Sequence, residues 1–148
     1  MIIRKAKLSD VIKIAENNIL LAKESEDLDI SLNAALSGVR SVLCDKSKGF
    51  YIVAEDNGNI IGEIMITYEW SDWRSKNMWW IQSAYVKKPF RKKGVFKKLV
   101  KEIRKIADEK EIDIIRLYVH NKNKTAMSVY EKIGMEKNYS VYEFPLEI

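Results

Sequence analysis

A chain of 148 residues is the size of one domain with a sizeable core of its own, without staples. With 47% apolar and 32% charged residues the composition excludes a disordered chain, and no apolar run reaches secretory or membrane-spanning length. The formal net charge of +5 favours anionic partners, while the lone Cys44 excludes an intrachain disulfide and suits a reducing, cytoplasmic setting.

Residues 2–6 read as a first strand. Ser9 or Asp10 then opens a helix to about Lys23, with Leu8, Val11, Ile14, Ala15, Asn18 and Leu21 at helical spacing. The acidic residues 24–27 form a loop, and a second helix over 31–44 carries the stripe Leu32, Ala35, Leu36, Val39, Val42 and Leu43. Cys44, at its end, reads as a small packing residue rather than a nucleophile. Residues 50–55 are a strand, and Asp56-Asn57-Gly58-Asn59 is a hairpin turn. The returning strand, 60–69, contains Gly62, which marks a bulge or a close contact. An aromatic-rich connection over 70–77 leads into a strand over 78–86.

The next stretch is the most informative. A proline, Pro89, blocks the strand, basic residues follow, and Gly94 sits where a helix begins. A helix start presents backbone N–H groups without intrahelical partners, and the macrodipole adds partial positive charge there. With a glycine permitting close approach, this is a phosphate cradle. Ten of the chain's 26 basic residues lie between Lys87 and Lys105, against the single acid Glu102. The helix places Val95, Phe96, Leu99, Val100, Ile103, Ile106 and Ala107 on one side and Lys97, Lys98, Lys101, Arg104 and Lys105 on the other. Beyond Lys97 the charge reads equally well as a solvated face. Residues 113–119 are a buried-type strand, 123–133 a short helix closed by Gly134, and 139–144 alternate like a final strand. No repeat or linker interrupts this order, which describes one α/β domain over residues 1–148.

Arg91-Lys92-Lys93-Gly94-Val95-Phe96 is followed, about thirty residues on, by Asn123, Ala126, Tyr130, Glu131, Lys132, Gly134 and Met135. The pair resembles two motifs of the GNAT superfamily of N-acetyltransferases, Gln/Arg-x-x-Gly-x-Gly/Ala and Asn-x-x-Ala-x-x-x-Tyr-Glu-Lys-x-Gly-Phe. The likeness covers essentially the whole chain. The run Trp79-Trp80-Ile81-Gln82-Ser83-Ala84-Tyr85-Val86 before Gly94-Val95-Phe96 resembles one sub-branch of it. Two positions depart from the pattern. Met135 replaces a phenylalanine, and Phe96 replaces a glycine or alanine, so its ring must pack inward near Leu99, Val100 and Ile103 while its backbone N–H serves the phosphate.

The resemblance implies an α/β (α+β) fold, a single domain with a mixed central sheet of six to seven strands flanked by about four helices. It implies acetyl-CoA as co-substrate, no metal and no covalent intermediate. Arg91, Lys92, Lys93, Gly94, Val95 and Phe96 would hold the pyrophosphate, with Lys92, Lys93 or Lys97 reaching toward the ribose phosphate. By the same likeness Ala84, Tyr85 and Val86 line the pantetheine arm, with the Val86 amide near the acetyl carbonyl. Asn123 hydrogen-bonds the arm, a role compatible with capping its own helix, and Tyr130 is the general acid on the thiolate rather than only a packed ring. Gln82 stands where some members carry a glutamate base, so Glu69 is the chosen base, with Asp72, His120 and water as alternatives.

Trp70, Trp73, Trp79, Trp80 and Tyr68 cluster near the acceptor side, part of them core and part an aromatic wall for an apolar or cationic acceptor. The acidic loop 24–29 would attract an amine. The expected partner is a small-molecule or peptide amine, with no nucleic acid and no membrane, and with a homodimer left open. Two rival readings remain: a nucleic-acid-binding module using the Lys87–Lys105 face, and an acyl-CoA sensor without turnover. The sequence leaves the acceptor amine and the use of other acyl-CoAs undecided.

Overall fold

Along β2 (Phe50–Asp56) successive side chains leave the sheet in opposite directions, and each direction meets its own apolar cluster. Ile52 and Ala54 join Val95, Leu99, Ile103 and Ala107, the buried stripe of α3 (Val95–Glu109). Tyr51 and Val53 join Val11, Ile14 and Ala15 of α1 (Val11–Glu26) and Ala35, Val39 and Val42 of α2 (Leu32–Cys44). This computed structural model describes residues 1–146, which divide into two units, Met1–Leu117 and a second beginning at Tyr118.

In the first unit one sheet has the order β1-β2-β3-β4-β5. Its strands are β1 (Ile2–Lys5), β2, β3 (Asn59–Ser71), β4 (Lys76–Val86) and β5 (Ile115–Arg116). The first four pair antiparallel, and β4 pairs with β5 in parallel. Asn57 (φ 49°) and Gly58 (φ 78°) form the two-residue hairpin loop between β2 and β3. Gly62 is a close contact: a Cβ there would lie 3.1 Å from Val95 Cγ1 and 3.3 Å from Leu99 Cδ1, so its bareness lets α3 settle on the sheet.

Ser31 caps α2 by accepting from the Ala34 N–H at 3.1 Å. Asp10 has a different duty. Its carboxylate accepts from the Lys7 N–H at 2.7 Å and pairs with Arg4 at 2.8 and 3.0 Å, fastening β1 to the start of α1. The Arg4 hydrogen bonds hold Asp10 below the usual carboxylate range.

Three expectations are corrected. The aromatic-rich connection over 70–77 is mostly ladder, because β3 runs to Ser71 and β4 starts at Lys76, leaving a four-residue turn over 72–75. The strand expected over 113–119 is only Ile115–Arg116, bonded to Trp79 and Trp80. The alternating residues 139–144 form no strand, so the described residues contain five strands rather than six to seven. Alternation reports which side chains face outward, whereas a strand also needs a neighbour's hydrogen-bond ladder.

In the second unit α4 (Lys124–Lys132) is capped by Asn123, whose Oδ1 accepts from the Ala126 N–H at 3.2 Å. It closes at Gly134, with the Met135 N–H bonded to Tyr130 O at 3.0 Å.

Candidate active site

Among the described residues β4 has a strand partner on its β5 side only at Trp79 and Trp80, and from Ile81 to Val86 that edge carries no strand. The Lys87 N–H donates to Ile61 O at 2.8 Å, toward β3. The alternation of a strand therefore turns the backbone groups of Ala84 and Val86 to the open edge. Tyr85, expected beside them along the arm, instead turns its backbone to β3, and its side chain leaves the sheet toward α1, where the hydroxyl donates to Glu24 Oε1 at 3.1 Å.

A short 3-10 turn over Lys88–Phe90 ends the strand, with Pro89 inside it. Lys92 (φ 62°) and Gly94 (φ 81°) are both left-handed, and between them the chain reverses into α3. Only glycine adopts that conformation without strain, and a Cβ on Gly94 would meet no atom within 4 Å, so the space before the helix is open. No side chain caps α3, and the first-turn N–H groups of a helix have no intrahelical acceptor. Phe96 is half-buried and packs with Val100 against the cluster beneath α3, as its departure from the motif requires. Lys92, Lys93, Lys97 and Lys98 are exposed around this start. An uncapped helix start behind a left-handed turn, ringed by ammonium groups, fits a diphosphate.

Arg91 sits differently from the lysines. Its Nε donates to Val86 O at 2.7 Å, its NH2 donates to Glu24 Oε2 at 2.6 Å, and its guanidinium lies 5.4 Å from the Tyr85 ring centre. Burial pushes the Glu24 carboxyl up, but the hydrogen bonds from Arg91 and Tyr85 outweigh it and hold the group below its ordinary value. Glu24 is thus bound to the β4–α3 turn, and it is the last turn of α1 rather than a loop.

Farther along the α1 side of the sheet lies a polar row. Gln82 Nε2 donates to Thr67 Oγ1 at 2.8 Å, and Trp80 Nε1 donates to Glu69 Oε1 at 2.7 Å. Arg116 NH1 lies 3.4 Å from the other Glu69 oxygen. The indole holds the carboxylate beside Trp80, six residues before Val86, which is roughly 20 Å of strand. Asp72 is exposed in the 72–75 turn, and His120, in the second unit, is exposed and accepts from the Lys122 N–H at 3.1 Å. Trp79 is core, 2% exposed, with its ring 5.2 Å from Phe50 at an edge-on angle. Trp70 and Trp73 are exposed, at 64% and 92%. In the second unit, burial pushes the Tyr130 hydroxyl up, which keeps it protonated as a proton donor must be.

Sequence reasoning missed Glu63. It is fully buried on β3, and its Oε2 accepts from Asn17 Nδ2 at 3.3 Å. Burial, the largest influence, pushes its carboxyl up to about 8. Among the described residues Glu63 Oε1 and Asn17 Oδ1 are both buried acceptors without a hydrogen-bond partner, which accords with an uncharged carboxyl at this position. The signal was present: one carboxylate inside the apolar run Ile60-Ile61-Gly62-Glu63-Ile64-Met65-Ile66.

Among the described residues no group of three or more His, Cys, Asp or Glu is placed to hold a metal ion, and no helix is long and apolar enough to cross a membrane. Residues 19–135 match the family model described as "Acetyltransferase (GNAT) family". A solved structure described as a possible acetyltransferase from Clostridium difficile 630 superposes with a TM-score of 0.91 at 40% identity, covering 99% of this chain and 98% of that one. A second, described as a probable acetyltransferase, gives a TM-score of 0.89 at 19% identity over 100% and 99% of the two chains, which speaks to fold alone. The thialysine N-epsilon-acetyltransferase of Bos taurus is 29% identical over 77 residues, 52% of this chain and 45% of that protein. The match thus spans less than half the length of that curated relative.

Proposed function

The chain belongs to the acetyltransferase (GNAT) family, and we propose that it transfers an acetyl group from acetyl-CoA to a primary amine by direct attack, as one catalytic domain over residues 1–148. The observation that supports this best is the open edge of β4 running, through a turn with two left-handed residues, into the uncapped start of α3. We place it in the sub-branch marked by Trp79–Val86 and Gly94-Val95-Phe96.

Acetyl-CoA, when bound, supplies an activated acyl group and a thiolate leaving group. The backbone of Arg91, Lys92, Lys93, Gly94, Val95 and Phe96 holds the diphosphate, and the ammonium groups of Lys92, Lys93 and Lys97 offset its charge. Ala84 and Val86 hold the pantetheine arm by backbone hydrogen bonds, with Tyr85 joining them in the strand while its own backbone serves β3, and with Asn123 as a further contact. The Val86 N–H donates to the acyl oxygen as negative charge gathers there, a contribution typically worth roughly 3–4 kcal/mol of barrier. Tyr130 donates its proton to the departing sulfur. Glu69, roughly 20 Å of strand from Val86, is too far to take the amine's proton directly and serves as its final acceptor through a chain of waters. The acceptor class is a free aliphatic primary amine, in keeping with the relative whose name specifies acetylation of an epsilon nitrogen.

The test couples thermal unfolding with acetyl-CoA to free-thiol release over thialysine, lysine, spermidine, an aminoglycoside and a short peptide. Stabilisation by acetyl-CoA together with thiol release for at least one amine is expected. Absence of stabilisation overturns the reading, and stabilisation without release makes the chain a sensor. Tyr130→Phe should lower kcat by roughly 100-fold with CoA affinity retained; an unchanged kcat removes Tyr130 from the chemistry.

A further inference from the structure

Arg91 opens the basic turn, yet its guanidinium is committed to three groups on the α1 side and strand end: the Val86 carbonyl at 2.7 Å, the Glu24 carboxylate at 2.6 Å and the Tyr85 ring at 5.4 Å. The other Glu24 oxygen accepts from Tyr85 at 3.1 Å, with the Lys88 ammonium 3.9 Å away. On the far side of the same peptide unit the Lys87 N–H donates to Ile61 O at 2.8 Å. The peptide joining Val86 to Lys87 is therefore gripped at both ends, its C=O by Arg91 and its N–H by β3. That peptide is the last of the open β4 edge.

We propose that Arg91 is a positioning residue and Glu24 its anchor, a clamp that fixes the angle at which the final amides of the β4 edge meet the bound acyl group. The inference rests on the acetyl-transfer reading and adds to it that the Arg91 side chain acts through Val86 rather than on phosphate. The chemistry of the groups supports that assignment. A planar guanidinium can bond a carbonyl and a carboxylate while lying over a ring, whereas a lysine keeps the charge but not the bridge. Glu24, an anion, has no use as a phosphate ligand. It also ties α1, the helix on the polar side of the sheet, to the turn that opens α3. Small misplacements of a reacting group lower rates steeply, so a clamp of this kind acts on turnover more than on binding.

The experiment compares wild type, Glu24→Gln, Arg91→Lys and the double variant by calorimetric CoA affinity, by kcat with the best amine of the panel, and by amide hydrogen exchange over residues 84–88. The clamp requires that each single variant lower kcat by roughly tenfold or more, keep CoA affinity within about threefold, and speed exchange at the Val86–Lys87 segment. The double variant should be little worse than either single one, because both remove the same constraint. If Arg91 instead served phosphate, Glu24→Gln would free it and tighten CoA binding with kcat unimpaired, and Arg91→Lys would retain kcat. That pattern overturns the proposal, as does unaltered exchange in both single variants. Wild-type protein that binds no CoA overturns the acetyl-transfer reading and this inference together. Binding and turnover by wild type with the phosphate pattern in the variants overturns the inference alone.

Discussion

Glu63 and Ile64 are neighbours on β3, yet their surroundings differ: Ile64 enters the cluster beneath α3, and Glu63 is buried against Asn17 of α1. The same contrast runs along the sheet. On the α3 side the buried groups are aliphatic or aromatic, from Ile52 and Ile61 to Trp79 and Ile103. On the α1 side the sheet also carries Glu63, Tyr85, Thr67 and Glu69, each with a polar partner. Apolar packing makes the α3 side a rigid platform for the basic turn. The other side accepts the free-energy cost of buried polar groups, and those groups gather where β4 ends and where its open edge begins. The difference teaches that stability and chemistry are divided between the two surfaces of one sheet.

Breaking the dry side should have the largest effect. Leu99→Ala opens a cavity between α3 and β3 beside Gly62 and is expected to remove about 2–5 kcal/mol of stability in a denaturant titration. A loss below about 1 kcal/mol would mean that this face is not the platform described. The next effect sharpens the polar side. Glu63 titrates near 8 when folded and near its ordinary 4.5 when unfolded, so between those values the folded chain carries the extra proton. Stability therefore falls as pH rises through that window, by about 1.4 kcal/mol per pH unit, and levels off above it. Glu63→Gln should abolish that component, matching wild type near pH 4 and exceeding it at pH 8 in parallel denaturation curves. Identical pH slopes in the two proteins would contradict a protonated Glu63. Smallest of all, Glu69→Gln should lower kcat at neutral pH by less than about tenfold and recover at higher pH, where the amine loses its proton to solvent. A pH–rate profile superimposable on wild type would place the base elsewhere.

Much of the platform was legible from local pattern. The Asn57-Gly58 hairpin, the buried stripe of α3, the close approach at Gly62 and the inward packing of Phe96 each follow from residue type and spacing within a few positions. The polar side was far less so, because its pairings are not local. Glu24 meets Arg91 across 67 positions and Asn17 meets Glu63 across 46, and no periodicity links such residues. An acidic tract at 24–29 therefore read as a lure for amines, when its first member is the anchor of a guanidinium. The same reason explains the strands. Residues 70–77 looked like a loop because their aromatics gave no turn-free alternation, although Trp70 pairs with Asn77 and Ser71 with Lys76 across the β3–β4 ladder.

An open strand edge has another side to it. Backbone donors and acceptors in a row are a template on which any passing extended chain can add itself, and such edges seed aggregation. The six positions from Ile81 to Val86 are short for that purpose, and the chain then places Lys87, Lys88 and Pro89 at their end. A second molecule sliding along this edge meets like charge and a residue that cannot donate to a ladder. The residues that prepare the edge for a small anionic guest also defend it against its own copies.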